Sequence, residues 1–245
     1  MAVDITVFDR SEELFKKAAE KIITIGREAI RSDGLFTLTL SGGNTPKGVY
    51  TALASAEFKN ELEWGKVHFF WGDERPVVQT HPESNYRMAK ESLLNHVSIP
   101  QSNIHRIAGE EDSMLAAQQY EDEMREFFKL SDGEVPALDL ILLGMGDDGH
   151  TASLFPDSEA IKINDRLVVE NYVKKLNTHR ITFTFPLINN AKNVLFLVTG
   201  SSKSKAVRQV LRHSDSEPVL PSLLVQPKSG SLLWFLDKEA AVELK

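Results

Sequence analysis

Apolar positions along this chain follow two periods in turn. Residues 4–8 alternate polar and apolar, as an edge strand with one covered face does. Leu14, Ala18, Ile22, Ile25 and Ala29 then fall at helical spacing. Ser11, Glu12 and Glu13 suit the first turn of that helix, and Gly34 suits its stop. Residues 35–40 form a strand that runs into Ser41-Gly42-Gly43-Asn44-Thr45-Pro46, and a helix follows over about 46–56, with Pro46 in its first turn. Further strands are expected over 67–71, 138–143, 194–198 and 232–236, and an alternating one over 180–185. Helices are expected over 86–94, along the Ala117, Tyr120, Met124 and Phe127 stripe, over 203–212 and, briefly, at the C-terminus.

Strand, glycine-bearing turn and helix thus recur. The run at 138–143 is almost wholly apolar, as in a strand covered on both faces. The pattern predicts an α/β fold with a mostly parallel sheet and helices on both faces. The 245 residues fit one α/β unit, so 1–245 is read as a single domain, with the 133–136 stretch a loop and not a boundary.

Composition narrows the chemistry. With no cysteine, a disulfide framework, a thiolate nucleophile and a cysteine zinc site are excluded. A net charge of −7, without a clustered basic tract, argues against nucleic acid as a partner. No apolar run approaches the roughly 20 residues that span a bilayer, and Met1-Ala2-Val3-Asp4 does not open a secretory leader, so no membrane role and a cytoplasmic location are expected.

The unusual residues collect where strands end, which in open α/β sheets is where ligands bind. Four ends carry Ser41-Gly42-Gly43, Gly72-Asp73-Glu74-Arg75, Gly144-Met145-Gly146-Asp147-Asp148-Gly149-His150 and Thr199-Gly200-Ser201. Parallel strands bring such ends to one rim. The 41–45 turn suits a phosphate, since glycines let backbone N–H groups approach an oxyanion at a helix start and Ser41 and Thr45 add hydroxyls. A plain strand-to-helix turn with Thr45 as N-cap fits it equally well. Arg180 and Lys205 offer a fork and a point charge for an anion, although each taken singly reads as a solvated surface cation. His150 is the histidine in the most constrained loop, and a carboxylate beside it, Asp148 in preference to Asp147, would fix its tautomer. Gly146 and Gly149 would permit the tight path that aims it inward. Asp147, Asp148 and His150 are acceptable metal ligands, but no strong ligand spacing appears and no metal is expected. No serine elbow is present.

These segments, with Ser84-Asn85-Tyr86, Thr151-Ala152-Ser153-Leu154-Phe155-Pro156, Arg180-Ile181-Thr182, Gly200-Ser201-Ser202-Lys203-Ser204-Lys205-Ala206 and Trp234-Phe235-Leu236-Asp237, occur in an order that resembles the 6-phosphogluconolactonase family over nearly the whole chain. The resemblance implies a Rossmann-like three-layer α/β/α sandwich like that of glucosamine-6-phosphate deaminase. It implies hydrolysis of a phosphorylated sugar lactone, 6-phospho-D-glucono-1,5-lactone, without a cofactor. It makes His150 the catalytic histidine, which the chemistry of lactone hydrolysis would use as a base with Asp148 behind it. Ser41, Gly42, Gly43, Asn44, Thr45, Arg180 and Lys205 would surround the phosphate, and Arg75 would face the substrate. Asp73 and Glu74, beside it in sequence, are expected to orient Arg75. A monomer is the preferred state. The related deaminase carries an acid soon after its histidine, where this chain has Ser153-Leu154-Phe155-Pro156. It also has a tyrosine where Arg75 stands. Both departures favour the lactonase reading. A non-catalytic sugar-phosphate sensor on the same fold is the alternative of another class, disfavoured by the intact Asp148 and His150.

Overall fold

Residues 3–244 are described by the computed structural model; Met1 and Ala2, on which the expectation about a leader partly rests, lie outside the described residues. The strands are β1 (Val3–Phe8), β2 (Phe36–Leu40), β3 (Val67–Trp71), β4 (Asp73–Glu74), β5 (Leu140–Leu143), β6 (Val168–Val173), β7 (Thr178–Phe183), β8 (Asn193–Val198) and β9 (Ser231–Asp237). The helices are α1 (Ser11–Asp33), α2 (Asn44–Leu53), α3 (Asn85–Ser92), α4 (Ser113–Phe128), α5 (Phe185–Ile188) and α6 (Ser204–Leu211).

Six strands pair in the order β1-β9-β8-β5-β2-β3, every pairing parallel. All residues of β2 and β5 are buried, so both faces of the sheet are covered, as the apolar run at 138–143 predicts. The long first helix buries the stripe of Leu14, Ala18, Ile22, Ile25 and Ala29 and packs on β2, β9 and α2. Each such Leu or Ile contributes about 1.5–3 kcal/mol on burial. Gly34, at φ 81°, ends the helix by donating to the Ile30 carbonyl at 3.0 Å.

Connectivity changes direction at the centre of the sheet. From β2 the chain moves outward to β3, whereas from β5 it moves the other way through β8 and β9. The carboxyl ends of β2 and β5 therefore flank a topological switch point, the standard place for a ligand crevice in such sheets.

Three expectations need correction. The strand expected over 180–185 spans Thr178–Phe183 instead. β7 is the middle strand of a separate antiparallel sheet, β4-β7-β6, with β6 unanticipated. The C-terminus closes in a single 3-10 turn, Val242–Leu244, not a helix. And α2 begins at Asn44, with Gly43 as the cap residue, so Thr45 lies inside the helix and is not its N-cap. Gly72 joins the two sheets: its N–H donates to the Leu40 carbonyl at 3.0 Å, and its carbonyl accepts from the Phe183 N–H at 2.8 Å.

Candidate active site

A cleft of about 650 Å³ opens at the switch point, within the range of small-molecule sites. One wall is the 41–45 turn. A Cβ on Gly42 would lie 2.0 Å from the side-chain oxygen of Asn85, and Gly43 holds φ 101°, so both glycines are required by the path. The Tyr50 hydroxyl clamps the turn from below, accepting from the Ser41 N–H and donating to the Ser41 carbonyl, both at 2.9 Å. Burial raises the Tyr50 phenol well above its ordinary value, so it stays neutral and able to donate. The Ser41 hydroxyl is buried against the cleft, with no hydrogen-bond partner among the described residues. Beyond it the first turn of α2 presents N–H groups that have no intrahelical acceptor. Thr45 Oγ1 meets Thr199 Oγ1 at 2.7 Å, tying the end of β2 to the end of β8.

The opposite wall is the loop after β5. His150 Nδ1 and Asp148 Oδ1 are 2.6 Å apart, and the His150 backbone N–H donates to the same oxygen at 3.2 Å. Lys175 Nζ donates to Asp148 Oδ2 at 3.0 Å. Partial burial acts to raise the Asp148 carboxyl, but the hydrogen bond and charge of His150, and then the hydrogen bond from Lys175, outweigh it and hold the group well below the usual carboxylate range. Asp147 is 65% exposed and lies only near Lys175, at 3.8 Å, so of the two acids Asp148 is the one that pairs with the histidine. Gly146 passes directly behind the ring, where a Cβ would stand 2.1 Å from His150 Nδ1. Phe155 stacks on the imidazole, with centroids 4.0 Å apart and planes at 23°. The ring is 28% exposed and lines the cleft, and among the described residues its Nε2 makes no protein hydrogen bond.

The small antiparallel sheet supplies the third side. Arg75 follows β4, and its Nη1 donates to the Glu83 carbonyl while its Nε is buried with no partner among the described residues. Arg180 on β7 donates to the His179 carbonyl at 2.8 Å. Burial, followed by the charge of Arg75, lowers the Arg180 pKa from the ordinary guanidinium value. Two guanidinium groups thus face one region of the cleft, an arrangement that an anion relieves. Asp73 accepts from Ser153 Oγ at 2.7 Å and from Asn85 Nδ2 at 3.3 Å. Glu74 accepts the backbone N–H groups of Arg75, Asn85 and Tyr86. These acids brace the backbone around Arg75 and the start of α3, and among the described residues no hydrogen bond joins either to the guanidinium that they were expected to orient.

Of the expected site residues, Ser41, Gly42, Gly43, Asn44, Thr45, Arg75, Asp148, His150 and Arg180 all line this cleft. Lys205 does not. A 3-10 turn, Ser201–Lys203, precedes α6 and brings Lys203 to the cleft, leaving Lys205 exposed in the first turn of the helix. Lys175 lies outside every motif read from the sequence, and Ser153 and Phe155 entered only as members of the 151–156 run, without a role in the site. Among the described residues, no three His, Cys, Asp or Glu side chains converge as a set of metal ligands, and no helix is long and apolar enough to cross a membrane.

A parallel α/β sheet whose switch point holds a histidine–aspartate pair in one cleft with two arginines and a helix start defines a class: enzymes with a cleft suited to a small anionic substrate. Comparison with known proteins agrees. The family model described as glucosamine-6-phosphate isomerases/6-phosphogluconolactonase matches residues 9–234. A 6-phosphogluconolactonase of Synechocystis sp. is 44% identical over 246 residues, covering all of both chains. The solved structure of 6-phosphogluconolactonase from Trypanosoma cruzi superposes with a TM-score of 0.88 at 30% identity, covering 100% of this chain and 97% of that one. A monomeric glucosamine-6-phosphate deaminase superposes at 0.81 with 20% identity, covering 98% and 99%, which shows a shared fold only. The chain belongs to the glucosamine-6-phosphate isomerase/6-phosphogluconolactonase family.

Proposed function

We infer that this chain hydrolyses 6-phospho-D-glucono-1,5-lactone to 6-phosphogluconate, the second step of the oxidative pentose phosphate pathway, with His150 as general base. The observation that carries the reading is the His150–Asp148 pair, with one ring nitrogen engaged and the other open to a cleft that also holds the 41–45 turn. Asp148 holds Nδ1–H, so Nε2 carries the lone pair. Nε2 removes a proton from water as the water oxygen bonds to the lactone carbonyl carbon. The tetrahedral oxyanion then collapses, the bond to the ring oxygen breaks, and the imidazolium returns its proton to that oxygen. General base catalysis of this kind contributes about 10²- to 10⁴-fold. Arg75, with its unpartnered Nε, is the side chain suited to the oxyanion.

The phosphate takes no part in the chemistry and serves as an anchor that positions the carbonyl. The 41–45 turn, Arg180 and Lys203 are its ligands in this reading, Lys203 replacing Lys205 because it lines the cleft. The relatives' names support the same substrate. The test is a rate assay with freshly prepared lactone, corrected for spontaneous hydrolysis, on the wild type and His150→Ala. The variant should lose about 10²- to 10⁴-fold in kcat while still binding 6-phosphogluconate. Full turnover in His150→Ala would overturn the base assignment, and turnover of glucosamine 6-phosphate in place of the lactone would overturn the substrate.

A further inference from the structure

His150 is held by more than its aspartate. The peptide unit between Gly149 and His150 is gripped at both ends. Its N–H donates to Asp148 Oδ1 at 3.2 Å, and its carbonyl accepts two hydrogen bonds from one residue, Ser222: from the backbone N–H at 3.0 Å and from Oγ at 2.8 Å. Ser222 sits in a 3-10 turn, Pro221–Leu224, more than seventy residues beyond the loop. It is 1% exposed and does not line the cleft, so it has no access to substrate. The same segment closes on Gly149 from the side. A Cβ there would lie 2.6 Å from Leu220 Cδ1, and Gly149 stands at φ 76°.

The rest of the loop is tied mainly to itself. Gly146 N–H donates to the His150 carbonyl at 2.8 Å, and Gly149 N–H to the Gly146 carbonyl at 3.1 Å. A peptide next to a glycine in the left-handed region rotates readily, because no side chain restricts it. Rotation of this one would carry the His150 N–H off Asp148 and tilt the ring away from the carboxylate. A carbonyl fixed by two buried donors has no such freedom, because rotation would leave both donors unpaired.

We propose that Ser222 is a positioning residue for the histidine–aspartate pair, holding the Gly149–His150 peptide so that the imidazole stays on Asp148. The proposal rests on the assignment of His150 as base. It implies that the 220–222 segment, outside every motif singled out in the sequence, belongs to the machinery of the reaction.

The test compares Ser222→Ala and Ser222→Thr with the wild type in three measurements: kcat and KM, thermal midpoint, and the proton NMR signal of the His150 Nδ1–H, assigned by its loss in His150→Ala. The 2.6 Å contact to Asp148 should place that signal downfield. Ser222→Ala should lower kcat about 2- to 12-fold, the range for one lost neutral hydrogen bond. KM should hold within about twofold, and the downfield signal should broaden or move upfield. Ser222→Thr, which keeps the hydroxyl, should restore both the rate and the signal. A Ser222→Ala variant with wild-type kcat and an unchanged signal would overturn the proposal, whatever its thermal midpoint. If His150→Ala proved fully active, the base assignment would fall, while the NMR signal would still report whether Ser222 holds the ring.

Discussion

Replacing Asp148 with asparagine isolates the charge behind His150. An amide offers one acceptor and one donor, so its orientation decides the ring tautomer. Two donors converge on the Oδ1 position, the His150 Nδ1–H at 2.6 Å and the His150 backbone N–H at 3.2 Å. Among the described residues only Lys175 addresses the Oδ2 position; its side chain is 61% exposed and free to swing into water at little cost. The amide oxygen therefore takes the Oδ1 position, Nδ1 keeps its proton and Nε2 keeps the lone pair that the proposed base role requires. What is lost is the difference between a charged and a neutral acceptor. Hydrogen bonds to charged groups contribute about 1.5–3 kcal/mol and neutral ones about 0.5–1.5. A loss of about 1–2 kcal/mol corresponds to about 5- to 30-fold in kcat with KM little changed. Serine-hydrolase triads in which the amide turns its NH₂ toward the ring lose about 10⁴-fold instead. Initial rates of acid release from fresh lactone distinguish the two. A loss beyond about 10³-fold would refute the orientation argument, and no loss would refute any supporting role for Asp148.

Other consequences can be measured in the same assay. Lys203→Ala and Arg180→Ala should each raise KM by about 10- to 150-fold, the equivalent of one charge-assisted hydrogen bond of about 1.5–3 kcal/mol, while Lys205→Ala should leave kinetics unchanged; the reverse order for the two lysines would restore the cleft to Lys205. Gly146→Ala should cost at least about 10²-fold in kcat with the fold intact by circular dichroism, because the added carbon occupies the place of the His150 ring. The Asp148 carboxyl is held below its ordinary value in the folded chain, so its ionised form stabilises the fold above about pH 4, and that contribution is lost as pH falls through the folded value. Denaturation midpoints of wild type and Asp148→Asn should therefore differ at neutral pH and converge in acid.

The central strands were legible because burial on both faces leaves an unbroken apolar signature, and β5 and β8 carry it. In β6 the signature is inverted. Asn171 points inward because its amide donates to the Ser153 carbonyl and to Ser158 Oγ, while Tyr172 is 44% exposed, so no alternation marks a covered face. The histidine loop could be read because glycine, acid and histidine crowd into seven residues, and Asp148 emerges from the geometry as its partner. The lysine that lines the cleft, Lys203, stands two positions before the expected Lys205, because a 3-10 turn ahead of α6 shifts the phase at which side chains face the cleft. Lys175 gave no signal. It reaches Asp148 from 27 residues away in an exposed turn, and nothing local distinguishes it from any other surface lysine.

Gly72 gives the cleft its mechanical character. Because one residue donates to the Leu40 carbonyl and accepts from the Phe183 N–H, the frame that carries the imidazole and the frame that carries the guanidinium groups share a single stretch of main chain. The separation between the two is then set by covalent geometry and ladder hydrogen bonds, which give far less than a hinged lid. A mould of this kind discriminates by fixed span. On the proposed assignments, sugars one carbon shorter or longer should seat their phosphate and miss His150, and the backbone should look the same empty or filled.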